Sequence, residues 1–213
     1  MDFRQSLLIQ HAIGHSRAVA ATPFSFEDWV LDGLTAVQIR CRPRPGLHSL
    51  VWLLWHMART EDVAINCLAA DRPQVLEAEG WAARLGTGRR DIGTGMTDVE
   101  VAALSESLDV AAVRAYRAAV GRRTRAVVAD LTPARLDALV PPERLERAAA
   151  EGLLGRRADA VTAGWRGRRV AYFLMAAAGN HNLYHLGEAR VLRSLIDAAA
   201  PDRVRPAPVA VPA

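Results

Sequence analysis

His181 and His185 stand four residues apart within GNHNLYHLGEARVLRSL, Gly179 to Leu195. On a helix, residues four apart carry β-carbons about 5–6 Å from each other. Two imidazoles at that spacing can both reach one metal ion at about 2.0–2.1 Å. Val170, Phe173, Leu174, Ala177, His181, His185, Glu188, Leu192 and Leu195 follow steps of three and four, so both imidazoles belong to the apolar stripe. On this helix alone the commoner reading is a pair of hydrogen-bonded core histidines. His56 shifts the balance, because it shares an apolar stripe with Trp52, Leu53, Thr60 and Val63 on an earlier segment. Three neutral imidazoles aimed at one interior are costly to bury unpaired, and a shared cation removes that cost. Cys67 lies about 16 Å further along the same helix, too far to ligate the same ion.

Three histidine ligands leave a coordination position open, whereas structural zinc sites are closed by four protein ligands. An ion held by neutral imidazoles keeps its full charge. It can bring the pKa of a bound water towards about 7, or bind a thiol as the reactive thiolate. Water activation and thiol activation both remain open on the residues alone.

Other side chains compete for roles near such a centre. His11 and His15 form a second pair of the same spacing. With that face turned inward they line the substrate cavity or replace one of the proposed ligands. Glu188, one turn beyond His185, either orients a ligand's second ring nitrogen or acts as a base, and a salt bridge to an arginine is an equal alternative. Trp52 and Tyr184 are candidates for the substrate-pocket wall. Trp52 reads chiefly as core, and Tyr184, like Glu61 and Asp62, more often as structural. His48 is expected near its helix start in a structural role. Arg84, Arg89, Arg90, Arg168 and Arg169 are candidates to hold an anionic cosubstrate.

The elements that must position these residues are helices. The periodicity predicts four long ones near 2–20, 48–69, 97–130 and 167–200, with shorter helices from Ser25 and near 143–150. CRPRPG, Cys41 to Gly46, forbids regular helix. Thr97-Asp98-Val99-Glu100 is a capping box with Met96 and Val101 placed as a staple. No alternating run predicts a strand. The expected fold is an all-α four-helix bundle with long crossover connections. It forms a single domain over 1–200, followed by a Pro/Ala/Val-rich extended or disordered tail at 201–213.

Composition bounds the partners. The net charge is +4, and every one of the 27 basic residues is arginine. These are interspersed with 23 acidic residues rather than gathered into a stripe, which argues against nucleic acid. No apolar run reaches the roughly 18 residues a membrane helix needs. Two cysteines make no disulfide framework, and Gln10, His11 and His15 interrupt any signal-peptide core, so a cytoplasmic location is expected.

PGLHSLVWLLWHMARTED (Pro45 to Asp62) and WRGRRVAYFLMAAAGNHNLYHLGEARVLRSL (Trp165 to Leu195) resemble the DinB-like superfamily of metal-binding four-helix bundles. That superfamily includes bacterial thiol S-transferases and thiol-dependent maleylpyruvate isomerases. Residues 71 to 168 match it only in general pattern. The resemblance implies one ligand from the second helix and two from the fourth, which fall here on His56, His181 and His185. It also implies a divalent ion, zinc or nickel, and a homodimer, which the broad apolar faces of the helices favour too. It selects metal-dependent S-transfer from a low-molecular-weight thiol to an electrophile. The alternatives are a metal-dependent hydrolase and a non-catalytic, metal-stabilised bundle that binds a ligand or partner.

Overall fold

The structure, a computed structural model, describes residues 2–199. The tail expected at 201–213 lies outside the described residues. All regular structure is helical among those residues, apart from one isolated antiparallel bridge between Leu139 and Arg169. The all-α bundle expected from the periodicity is what the chain forms.

Helix α1 (Phe3–Gly14) begins at a capping box between Asp2 and Gln5. It stops earlier than the pattern suggests, because His15 is extended and its carbonyl accepts from Ser25 Oγ at 2.7 Å. Helices α2 (Phe26–Leu31) and α3 (Ala36–Arg40) lead to α4 (Leu50–Glu61), which Ser49 caps. Every residue of α4 is buried. The chain continues as a π-helical segment, Asp62–Ala70, which ends at Asp71 in the left-handed conformation. The first crossover contains α5 (Val75–Ala78) and α6 (Trp81–Arg84).

The capping box at Thr97 starts α7 (Asp98–Ser107) as expected. The helix predicted to run to residue 130 is broken, however. Leu108 is extended and fully buried, and Asp109 caps a new helix, α8 (Val110–Asp130). The second crossover holds α9 (Pro133–Asp137), α10 (Pro142–Ala150) and α11 (Ala158–Trp165). Then α12 (Val170–Phe173) passes through a second π-helical segment, Leu174–Asn180, into α13 (His181–Ala198).

The apolar interior has two halves. One surrounds Leu53, Trp55, Met57, Val113, Leu186 and Ile196. The other surrounds Ile65, Leu68, Val127, Leu145, Phe173 and Leu174. Where the two halves meet, α4, the π-helical segment after it, α8 and α13 carry polar side chains. Arg59, Glu61, Asp62, Arg117 and Asn182 are all fully buried. Buried polar groups are tolerable only when satisfied, and most of these polar atoms have partners, Arg59 Nε being an exception. Asp62 accepts from Tyr116 Oη at 2.7 Å, from Arg59 at 3.2 Å, from Asn66 at 2.7 Å and from the backbone N–H groups of Val75 and Leu76, each at 2.9 Å. Arg59 also donates to Tyr116 and Gln74 and to the Arg90 carbonyl. The first crossover is thereby hydrogen-bonded to the belt.

Removing one partner of such a pair strands a charge in the interior. Asp62→Ala is expected to lower the unfolding free energy by about 3–5 kcal/mol. Tyr116→Phe, which leaves the Arg59–Asp62 contact intact, is expected to cost about 1–2 kcal/mol. Urea denaturation of both variants measures this, and equal losses would contradict the arrangement.

Candidate metal centre

His56 reaches the belt from α4, and His181 and His185 reach it from the first turns of α13. Ligand atoms of the three rings lie within 4.8 Å of one another, and the Nε2 atoms of His56 and His181 are 3.1 Å apart. Two ligands about 2.1 Å from a common ion and near a right angle to each other stand about 3 Å apart. The geometry therefore fits an ion bound between the rings.

Proton placement supports the same reading. His56 Nδ1 donates to the carbonyl of Ile92, which can only accept. Its single neutral-state proton is therefore on the outer nitrogen, and the Nε2 lone pair faces its partners. His185 Nδ1 lies 2.9 Å from Glu188 Oε2, and a carboxylate there places the proton on Nδ1 in the same way. His181 Nδ1 is buried with no hydrogen-bond partner. Burial, reinforced by neighbouring His185, brings His56 down to about 3. His181 is also held well below the ordinary imidazole value, first by burial and then by His56 and His185. Both rings are neutral at physiological pH.

The Ile92 carbonyl is delivered by the first crossover. Ile92 N–H donates to the Leu153 carbonyl at 2.9 Å. The next residue, Gly93, has φ +81°, and a β-carbon there would stand 2.7 Å from the Trp55 ring and 3.3 Å from Trp52. Only glycine lets the chain lie on both indoles with its carbonyl against His56. Trp52 itself stacks on His56 at 4.8 Å between ring centroids and on His48 at 3.9 Å.

Glu188 bridges two histidines, His185 and His48, the latter through Nδ1 to Oε1 at 2.7 Å. Burial works to raise the Glu188 pKa, but the hydrogen bonds from His185 and His48 outweigh it and bring the group down to about 2. It is an ionised, orienting carboxylate. His48 is thus tied to the centre through Glu188, a role that its position eight residues before His56 did not reveal. Solvent reaches the centre on this side, where the side chains of His48 and Glu188 are 32% and 30% exposed. Tyr184, 73% exposed, stands edge-on to His185 at 5.0 Å.

The remaining residues singled out from sequence lie elsewhere. His11 and His15 turn inward, yet each contacts Glu61 rather than the three-histidine group. Asp62 belongs to the Arg59–Tyr116 network. The five arginines considered for an anionic cosubstrate have protein partners. Arg84 lies over Trp81 and Arg168 over Tyr172. Arg89, Arg90 and Arg169 pair with Asp91, Glu77 and Asp137.

Comparison with known proteins agrees with this architecture. A crystal structure of a conserved protein from Enterococcus faecalis superposes with a TM-score of 0.67 at 17% identity, covering 93% of this chain and 99% of that one. At that identity the likeness speaks for the fold alone. No curated protein matches the chain. The sequence profile of the DinB superfamily matches residues 28–189, a span that contains His56, His181 and His185. The chain belongs to the DinB superfamily.

Proposed function

We propose that the protein is a metal-dependent transferase that joins a low-molecular-weight thiol to an electrophile at the centre formed by His56, His181 and His185. The observation that carries this reading is the convergence of three imidazoles, two with their outer nitrogens tied to acceptors, at an edge that solvent reaches. Among the described residues the group contains three candidate ligand residues and no fourth. A divalent ion such as zinc or nickel, when bound there, supplies the positive charge that favours thiolate over thiol.

The chain's own residues do the rest. Glu188 and the Ile92 carbonyl hold His185 and His56 in the ligating tautomer. Trp52 and Tyr184 wall the space in which the electrophile is placed. The thiol proton leaves to solvent past His48 and Glu188. The sulfur lone pair then forms the new S–C bond while a leaving group departs with its electron pair, or, in an addition, the adduct takes up a proton. Sulfur is favoured over water as nucleophile because Glu188, at about 2, is a poor general base. A thiol, at about 8.5, needs far less help than water to ionise. The superfamily resemblance points the same way.

The reading includes a homodimer and a reducing compartment. Both cysteines are free, and no helix among the described residues is long and apolar enough to cross a membrane. Tyr184 and Val191, 73% and 61% exposed, mark a side of α13 available for self-association. Light scattering at micromolar concentration is expected to give twice the chain mass, and a monomer would remove this element of the proposal.

Conjugation of a thiol panel to a panel of electrophiles is expected to stop with chelator and return with zinc or nickel. His181→Ala should lose the centre's ion, measured by elemental analysis, and with it at least about a hundredfold in rate, while its helical circular dichroism is retained. Metal-loaded protein that conjugates no thiol would overturn the proposal, and metal-dependent ester hydrolysis in its place would make the protein a hydrolase.

Protons compete with the ion. In chelator-treated protein the unfolded chain takes up a proton near the ordinary imidazole value of 6.5, whereas folded His56 resists until about 3. Stability should therefore rise with pH between these values, by at most about 1.4 kcal/mol per pH unit for one such histidine. His56→Gln should flatten the profile in denaturation measured from pH 3 to 7. An unchanged slope would mean that the folded ring is charged.

A further inference from the structure

A second cluster of metal-binding side chains lies in the same polar belt. His11 and His15, one turn apart on and just after α1, are 1% and 0% exposed, and Glu61, the last residue of α4, is also 0% exposed. Each ring aims its Nε2 at a different oxygen of the one carboxylate: His11 at Oε1, 3.0 Å away, and His15 at Oε2, 2.9 Å away. The rings stack at 4.1 Å between centroids. The ligand atoms of the three residues lie within 4.8 Å of one another. Gly121 of α8 makes room, since a β-carbon there would fall 2.9 Å from His15 Nδ1.

Charge counting separates two ways of filling the space between these groups. Arg117, also fully buried, donates to Glu27 at 2.6 Å, and that pair cancels. Asn182 donates to Glu61 Oε2 at 2.8 Å but carries no charge. If two Nε2–H groups alone fill the space, the carboxylate charge can be balanced only by a second proton taken up on one ring in the interior. One divalent ion, bound by two imidazole lone pairs and the carboxylate, neutralises it. The N···O separations of 2.9–3.0 Å are those of hydrogen bonds and equally those of ligands about 2.1 Å from a common ion and near a right angle to each other.

We propose that His11, His15 and Glu61 form a second divalent-ion site, separate from the three-histidine centre and closed to solvent. Two nitrogens and a carboxylate suit a first-row ion of the zinc class. The ion joins α1 to α4, and through Asn182 to α13, so its role is to fix the first helix against the bundle. Because its ligands are buried, it exchanges only when α1 opens, and chelator should remove it far more slowly than the ion at His56, His181 and His185.

The test is metal content after expression with zinc, repeated after reconstitution with Co²⁺. Wild-type protein is expected to hold two equivalents per chain, one lost quickly to chelator and one slowly. The double variant His56→Ala/His181→Ala leaves the proposed site untouched and should retain one slowly exchanging equivalent. His11→Ala/His15→Ala should retain one fast equivalent. Glu61→Gln, nearly the same in shape, should lose the slow ion and melt at a lower temperature, with zinc giving no protection. A wild-type chain that saturates at one equivalent, with none left in His56→Ala/His181→Ala, would show His11, His15 and Glu61 to be a hydrogen-bonded cluster only. That outcome would leave the three-histidine centre standing, so the two sites fail separately.

Discussion

An imidazole shut away from water presents a lone pair to a cation only if its other nitrogen keeps the proton. Much of the bundle serves that requirement. Ile92 meets it for His56 and Glu188 meets it for His185. The acceptors come from a crossover and from the ligand helix itself, so the centre depends on loop placement as much as on helix packing. The first crossover stays in place because Asp62 accepts from the backbone of Val75 and Leu76, because Arg59 bonds to Gln74 and the Arg90 carbonyl, and because Gly93 fits against two indoles. A hydrogen-bonded belt set between two apolar half-cores is what this needs, since in water the same interactions would be screened and nearly worthless.

The π-helical segments bear on the same belt. One begins immediately after Glu61, and the other ends at Asn180, immediately before His181. Segments of this kind are often found at functional sites. Here both lie on the same side of the histidine level, facing the second half-core, while His56 and His185 sit in ordinary α-helix. A wider turn shifts the helix face relative to a regular continuation. Phe173 and Leu174 can therefore pack into the second half-core while His181 and His185 still meet His56.

Helical periodicity made His56, His181 and His185 legible, because it reports which side chains share an inward face, and the capping box at Thr97 was equally plain. What it does not report is depth or a partner far along the chain. His48 and Glu188 are 140 positions apart, and His15 and Glu61 are 46 apart. Neither contact leaves a local mark. Arg59 and Arg117 look like ordinary helix-surface charges, yet both are fully buried, because Tyr116 and Gln74 reach Arg59, and Glu27 reaches Arg117, from other segments. The break at Leu108 did have a signal. Asp109 is a good cap, but it sits in a stretch apolar enough on both sides to read as one continuous helix. The short helices at Ala36–Arg40 and Ala158–Trp165 are held by their surroundings more than by pattern.

His181 differs from its two companions in one respect. Its Nδ1 has no acceptor, and its backbone lies where π-helix gives way to α-helix. Two of the rings are clamped from behind, and the third has no such clamp. Such a centre is a fixed pair of jaws with one hinged finger. Release of an ion would begin with rotation of that ring, and a ligand arriving from the open edge would meet the one protein donor able to yield without breaking a hydrogen bond.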